Sequence, residues 1–144
     1  QVDANIPYRF DSLGWRGKAD GDRGTFRRPL NADFAGAVEN ALHARGLDKA
    51  SPVIIMCTSS SRAPHAAEAL HEAGFREVYT QVEGFEGIKA KSGPDEGKRV
   101  VAGWKHEGLP WGYELLEAKM YFNFDPRRYA KRRRDNDGTA KGTP

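Results

Sequence analysis

Apolar positions along the chain follow two rhythms. Phe34, Val38 and Leu42 recur every four residues, with Ala37 and Ala41 beside them. That spacing predicts one apolar face of a helix. Asn31 supplies an N-cap with Asp33 in the first turn, and Gly46 is a natural stop. A second helix is predicted from Pro64, which fits N1 because its missing N–H would have no partner there. Ala66, Ala67, Leu70 and Ala73 form its packing face, and Gly74 fits the position after its end. Between the helices, Val53-Ile54-Ile55-Met56-Cys57 is the longest apolar run and predicts a buried strand. Glu77-Val78-Tyr79-Thr80-Gln81-Val82 predicts another. Helix, strand, helix, strand in close succession argues for an α/β fold with a parallel sheet and helices on its faces.

The remaining segments are less periodic. Ala4-Asn5-Ile6-Pro7-Tyr8 reads as an edge strand or an extended lead-in. Residues 14–30, rich in Gly, Arg and Asp, read as loop. Gly84-Phe85-Glu86-Gly87 reads as a turn, and residues 89–99 as a polar excursion. Met120-Tyr121-Phe122-Asn123-Phe124 is apolar enough to pack back on the body, or to be a partner-binding strand. Trp104 and Trp111 read as packing anchors. The expected organisation is one domain over residues 1–124 and a basic, disordered tail over 125–144.

Charge supports that division. The net charge is +3, yet seven of the 23 Lys/Arg and only three of the 20 acids lie beyond residue 124. The rest of the chain holds 16 bases and 17 acids, so the basic character belongs to the tail. No aromatic residue interrupts the run 132–134, and no nucleic-acid partner is expected. No apolar stretch approaches the roughly 20 residues of a membrane span. A single cysteine excludes an internal disulfide and a multi-cysteine metal site. The four histidines show no metal-ligand spacing, so neither metal nor cofactor is expected.

Chemistry concentrates at that cysteine. Cys57 closes the strand, Pro64 begins the helix, and Thr58, Ser59, Ser60, Ser61 and Arg62 lie between. The thiol thus sits at the carboxyl end of a parallel strand, where open α/β sheets bind ligands. Free N–H groups of the loop and first helical turn favour negative charge there. Cysteines at helix N-termini have pKa values lowered to roughly 3.5–7.5. Arg62 adds positive charge, and Ser59, Ser60 and Ser61 add hydroxyl donors. Such a loop can hold a thiolate, its persulfide or a bound oxyanion. The plainer alternative is a small buried hydrophobe at a strand end. His65, just inside the helix start, either approaches the loop or faces solvent.

The run Cys57-Thr58-Ser59-Ser60-Ser61-Arg62-Ala63 ahead of a helix resembles the active-site loop of the rhodanese family. The strand and Gly-rich turn from Val78 to Gly87 are similar to those that follow it. Gly103-Trp104 and Gly108-Leu109-Pro110-Trp111 resemble the ending of many bacterial members. Together these blocks cover roughly residues 30–112. The resemblance implies a three-layer α/β sandwich with a central parallel sheet and helices on both faces. It implies a sulfurtransferase in which Cys57 accepts sulfur as a persulfide, by ping-pong covalent chemistry. Thr58, Ser59, Ser60, Ser61 and Arg62 would line the bound sulfur, and Arg62 would brace the loop. The partners implied are a small sulfur donor, such as thiosulfate or a persulfide, a thiol or cyanide acceptor, and a sulfur-relay protein. A bacterial setting follows from the same resemblance; the compartment, periplasmic or cytoplasmic, is left open.

The chain departs from the family pattern in three places. Thr58 stands where Arg is frequent, and Ser60 stands where the loop has Gly. The family's opening strand, ending in Asp-x-Arg and central to the sheet, is expected to be missing, leaving an incomplete domain with an exposed apolar edge. These departures fit an alternative, a non-catalytic rhodanese-like sulfur carrier or binding module. A phosphatase is a further rival, but its loop carries five residues between Cys and Arg; here there are four.

Overall fold

The structure, a computed structural model, describes residues 2–18, 21–129 and 131. In chain order the elements are β1 (Trp15–Lys18), β2 (Gly21–Phe26), α1 (Phe34–His43), β3 (Val53–Ile55), α2 (Ala63–Glu72) and β4 (Val78–Thr80). Two 3-10 turns follow, Glu117–Lys119 and Tyr121–Asn123. The fold is mixed α/β with a small parallel sheet: β3 and β4 run parallel, Val53 opposite Val78 and Ile55 opposite Thr80. The connection between them is α2, as parallel pairing requires.

Both helices form where their apolar spacing predicts. Asn31 acts one turn ahead of α1: its side chain accepts from the Asp33 N–H at 3.0 Å and donates to the Pro7 carbonyl at 2.9 Å. α1 then buries Phe34, Ala37, Val38 and Ala41. α2 ends in left-handed Gly74, and the Phe75 N–H reaches back to the Leu70 carbonyl at 3.1 Å. This is the arrangement that lets glycine satisfy the last carbonyls of a helix.

Phe34 and Val38 of α1 pack with Ala66 and Leu70 of α2, with Phe75, and with Val53, Ile55 and Val78 of the sheet. Leu70 and Phe75 are the largest side chains fully removed from solvent. Side chains alternate across a strand, so both helices lie on one face of the sheet. On the other face Ile54 is 73% exposed and Tyr79 is 53% exposed. The expectation of a fully buried strand fails at Ile54 for this reason. Among the described residues, helices cover one face and not both.

α1 buries a second stripe. Ala37 and Ala41 receive Phe124, with Tyr121 and Tyr129 alongside. The segment 120–124 therefore packs back on the body, and Asn5 bridges in parallel to Met120. Asp125 is also buried, and a fork from Arg127 grips its carboxylate at 2.8 and 2.9 Å. Packing against α1 thus continues to Tyr129. Residues 130 and 132–144 of the expected tail lie outside the described residues.

Residues 14–30 are not the plain loop that composition suggests. β1 and β2 form an antiparallel hairpin, with Trp15 opposite Phe26. Their rings meet edge to face at 5.3 Å. Gly24 leaves room for the indole, since a Cβ there would stand 2.6 Å from the Trp15 ring. Glycine and aspartate mark turns inside hairpins as well as loops, so composition alone misleads.

Among the described residues β3 pairs with β4 alone, so its other edge is open. Residues 4–8 face that edge across a cavity, with Asn5 bridged to Met120 and the Tyr8 carbonyl accepting from the Asn31 N–H at 2.9 Å. Between them lies a groove of about 920 Å³ lined by Ile6, Tyr8, Phe34, Ile55, Met56 and Ala66. Cys57 opens into it. No helix among the described residues is long and apolar enough to cross a membrane.

Candidate cysteine-loop site

The loop from β3 to α2 wraps its backbone around the thiol. The backbone N–H groups of Arg62, Ser59 and Ala63 all act on the Cys57 thiol and favour its charged form. Half-burial is the largest single influence and raises the thiol pKa. The three N–H groups, joined by the charge of Arg62, outweigh it and hold the thiol below its ordinary value. Stabilising a thiolate with main-chain donors at a helix N-terminus is the arrangement expected for a reactive cysteine. Ala63, the first residue of α2, escaped sequence reasoning. Its signal was its place in the first helical turn, where N–H groups lack helical partners.

The hydroxyls play different parts from those expected. Ser60 adopts a left-handed backbone, φ 61°, and its Oγ donates to the Gln81 carbonyl at 3.1 Å. The serine therefore keeps the conformation glycine would give, and a hydrogen bond offsets the strain. Thr58 Oγ1 accepts from Arg62 Nη2 at 2.9 Å. That bond ties the two ends of the loop together. Ser59 contributes its N–H to the thiol, and the exposed Ser61 faces away from it into a neighbouring polar recess. His65 is exposed and lines neither that recess nor the groove.

A second backbone layer supports the first. Phe85 N–H donates to the Cys57 carbonyl at 2.7 Å, and Glu86 N–H to the Thr58 carbonyl at 2.9 Å. This approach requires Gly84: a Cβ on it would stand 2.5 Å from the Cys57 carbonyl oxygen. A third layer follows. Trp104 N–H donates to the Gly84 carbonyl, and Lys105 N–H to that of Phe85. Gly87 and Gly103 lie back to back there, and a Cβ on Gly87 would fall 1.9 Å from the Ala102 carbonyl oxygen. The turn 84–87 is thus part of the site's frame.

Aromatic residues close the mouth. Lys105 Nζ sits 4.5 Å from the Trp111 ring centroid and 4.9 Å from that of Tyr113. Phe85 meets both rings edge to face. Trp111 is 52% exposed and lines the groove, so it is not the buried anchor expected from sequence. Trp104 is half-buried and donates from its indole to the Pro110 carbonyl at 2.9 Å. Among the described residues no three His, Cys, Asp or Glu side chains converge as a metal site.

Comparison with known families places this architecture. Residues 24–91 match the family model of the rhodanese-like domain. That span runs from β2 through α1, β3, the cysteine loop, α2 and β4 to the turn 84–87. The Gly103-Trp104 and Gly108-Trp111 blocks lie beyond it. No curated protein matches the chain. Over residues 24–91, the segment that builds the thiol site, this chain is similar to the rhodanese-like domain family.

Proposed function

We propose that the protein is a rhodanese-type sulfurtransferase working through a Cys57 persulfide. The observation that carries the reading is a half-buried Cys57 between β3 and the start of α2 that opens into the groove, with its pKa lowered by the backbone N–H groups of Arg62, Ser59 and Ala63. In the first half-reaction the Cys57 thiolate attacks the outer sulfur of a donor. With thiosulfate, the sulfur–sulfur bond breaks, sulfite leaves with its electron pair, and Cys57 carries the outer sulfur as a persulfide anion. In the second, an acceptor thiolate or cyanide attacks that outer sulfur and the Cys57 thiolate departs. The loop N–H groups stabilise negative charge in both resting forms, so no separate base is needed.

The four-residue spacing between Cys57 and Arg62 suits a single sulfur better than a phosphate. The three-layer sandwich belongs to this reading as well. The exposed Ile54 and Tyr79 mark where a second helical layer would lie. The alternative, a non-catalytic sulfur carrier, is favoured by Thr58, whose hydroxyl engages Arg62 where many relatives present a free cation. Thiocyanate release from thiosulfate and cyanide separates the two. Turnover by the wild type and none by Cys57→Ser supports the enzyme. A persulfide that forms but does not turn over supports the carrier.

A further inference from the structure

Beside the groove lies a second, polar recess of about 500 Å³ that shares Arg9, Asp11, Thr58 and Arg62 with it. Four arginines reach it from four segments: Arg9 from the lead-in, Arg28 from beyond the hairpin, Arg62 from the cap of α2, and Arg99 from the excursion. One carboxylate, Asp11, joins them, and it pairs with Arg28 at 3.0 Å. The other three guanidiniums donate to neutral groups. Arg9 bonds the Arg28 carbonyl at 2.8 Å, Arg62 the Thr58 hydroxyl at 2.9 Å, and Arg99 the Gly87 carbonyl. None of those three meets a carboxylate among the described residues. Guanidiniums gathered around one recess repel one another, and each keeps N–H donors beyond the one it spends. Arginine forks converging on a concavity are suited to an oxyanion.

The position of the recess narrows the ligand. Arg9, Asp11, Thr58 and Arg62 line both cavities, whereas Cys57 lines only the groove. The recess therefore adjoins the groove into which the Cys57 thiol opens. A short organic thiol with a carboxylate or sulfonate at its far end can set that anion among the arginines and its own sulfur in the groove beside Cys57.

We propose that the arginine recess binds the anionic end of a small organic thiol that accepts sulfur from Cys57. This rests on the persulfide reading above. The acceptor thiolate attacks the outer sulfur, a sulfur–sulfur bond to the acceptor forms, and the bond to Cys57 Sγ breaks. An organic persulfide anion leaves, and the Cys57 thiolate remains.

The test measures binding apart from transfer. Titrating full-length Cys57→Ser with 3-mercaptopropanesulfonate and with the neutral 3-mercaptopropanol is expected to show about tenfold tighter binding of the sulfonate. Adding Arg9→Gln and Arg99→Gln together is expected to remove that preference, and Arg99→Lys to retain much of it. Circular dichroism checks that each variant is folded. Equal affinity for the two thiols, or a preference that survives both substitutions in folded protein, overturns the proposal. Should either glutamine variant fail to fold, the wild-type-loop comparison of the two thiols and the lysine variant still decide. In turnover, the KM ratio between the thiols should follow the binding ratio. A sulfonate preference without any persulfide on Cys57 would sink the sulfurtransferase reading alone. Sulfur transfer that ignores acceptor charge would sink the subsite alone.

Discussion

The cysteine loop and the hairpin β1–β2 look alike in composition: short, polar and edged with small residues. They are built in opposite ways. The loop lies under two further layers of backbone, joined through Gly84, Gly87 and Gly103 with almost no space between them. The hairpin is held by its own strand pairing and by a ring contact between Trp15 and Phe26, both more than half exposed. Main-chain groups in contact with main-chain groups have little freedom to drift. That rigidity keeps three N–H donors acting on one thiol, and positioned donors stabilise charge without reorganising.

The contrast breaks most readily at Gly87. Gly87→Ala puts a Cβ into the Ala102 carbonyl and a side chain at φ 81°. It is expected to cost about 3 kcal/mol or more, read as a fall in the urea midpoint. Wild-type stability would show that the layers are not in close contact. Ser60→Ala keeps the left-handed strain but loses the Gln81 bond, and should cost about 1–2 kcal/mol. Ser60→Gly loses the same bond but relieves the strain, so it should fall within about 1 kcal/mol of wild type. A serine-to-glycine loss as large as the alanine loss would mean that strain plays no part.

Trp15→Ala should cost about 0.5–1.5 kcal/mol and leave the Cys57 alkylation profile unmoved. A moved profile would tie the hairpin to the site. The smallest expected effect is electrostatic. The charge of Arg62 is the least of the influences lowering the thiol. Arg62→Gln should therefore slow alkylation near pH 7 about two- to fivefold, with the pH midpoint shifted upward. Acid tests the far end of the body separately. The hydrogen bond from Arg127 holds the Asp125 carboxyl below its ordinary value. Its stabilisation is present above the unfolded carboxyl pKa and is lost as pH falls through the lower, folded value. Asp125→Asn should flatten that acid limb.

What sequence revealed follows the same division. Periodicity exposed α1 and α2 because side-chain packing on one face leaves a spacing signal at Phe34, Val38 and Leu42. Cys57 and Arg62 were legible because a strand end, a short loop and a proline-led helix constrain one another. The parallel order of β3 and β4 was legible, but the bare face bearing Ile54 was not, since an apolar run does not say how many layers cover it. The hairpin was hidden because its turn residues dominate its composition. The arginine recess was hidden for a different reason: Arg9, Arg28 and Arg99 are far apart in the chain and meet only through the fold.

The most direct measurement is the intact mass of the full chain after thiosulfate and then after cyanide, with Cys57→Ser alongside. The stabilised thiolate predicts a gain of one sulfur atom on the wild type, its loss to cyanide, and no change in the variant. A folded wild type whose Cys57 alkylates readily yet never gains sulfur from thiosulfate or an organic persulfide would contradict the persulfide role.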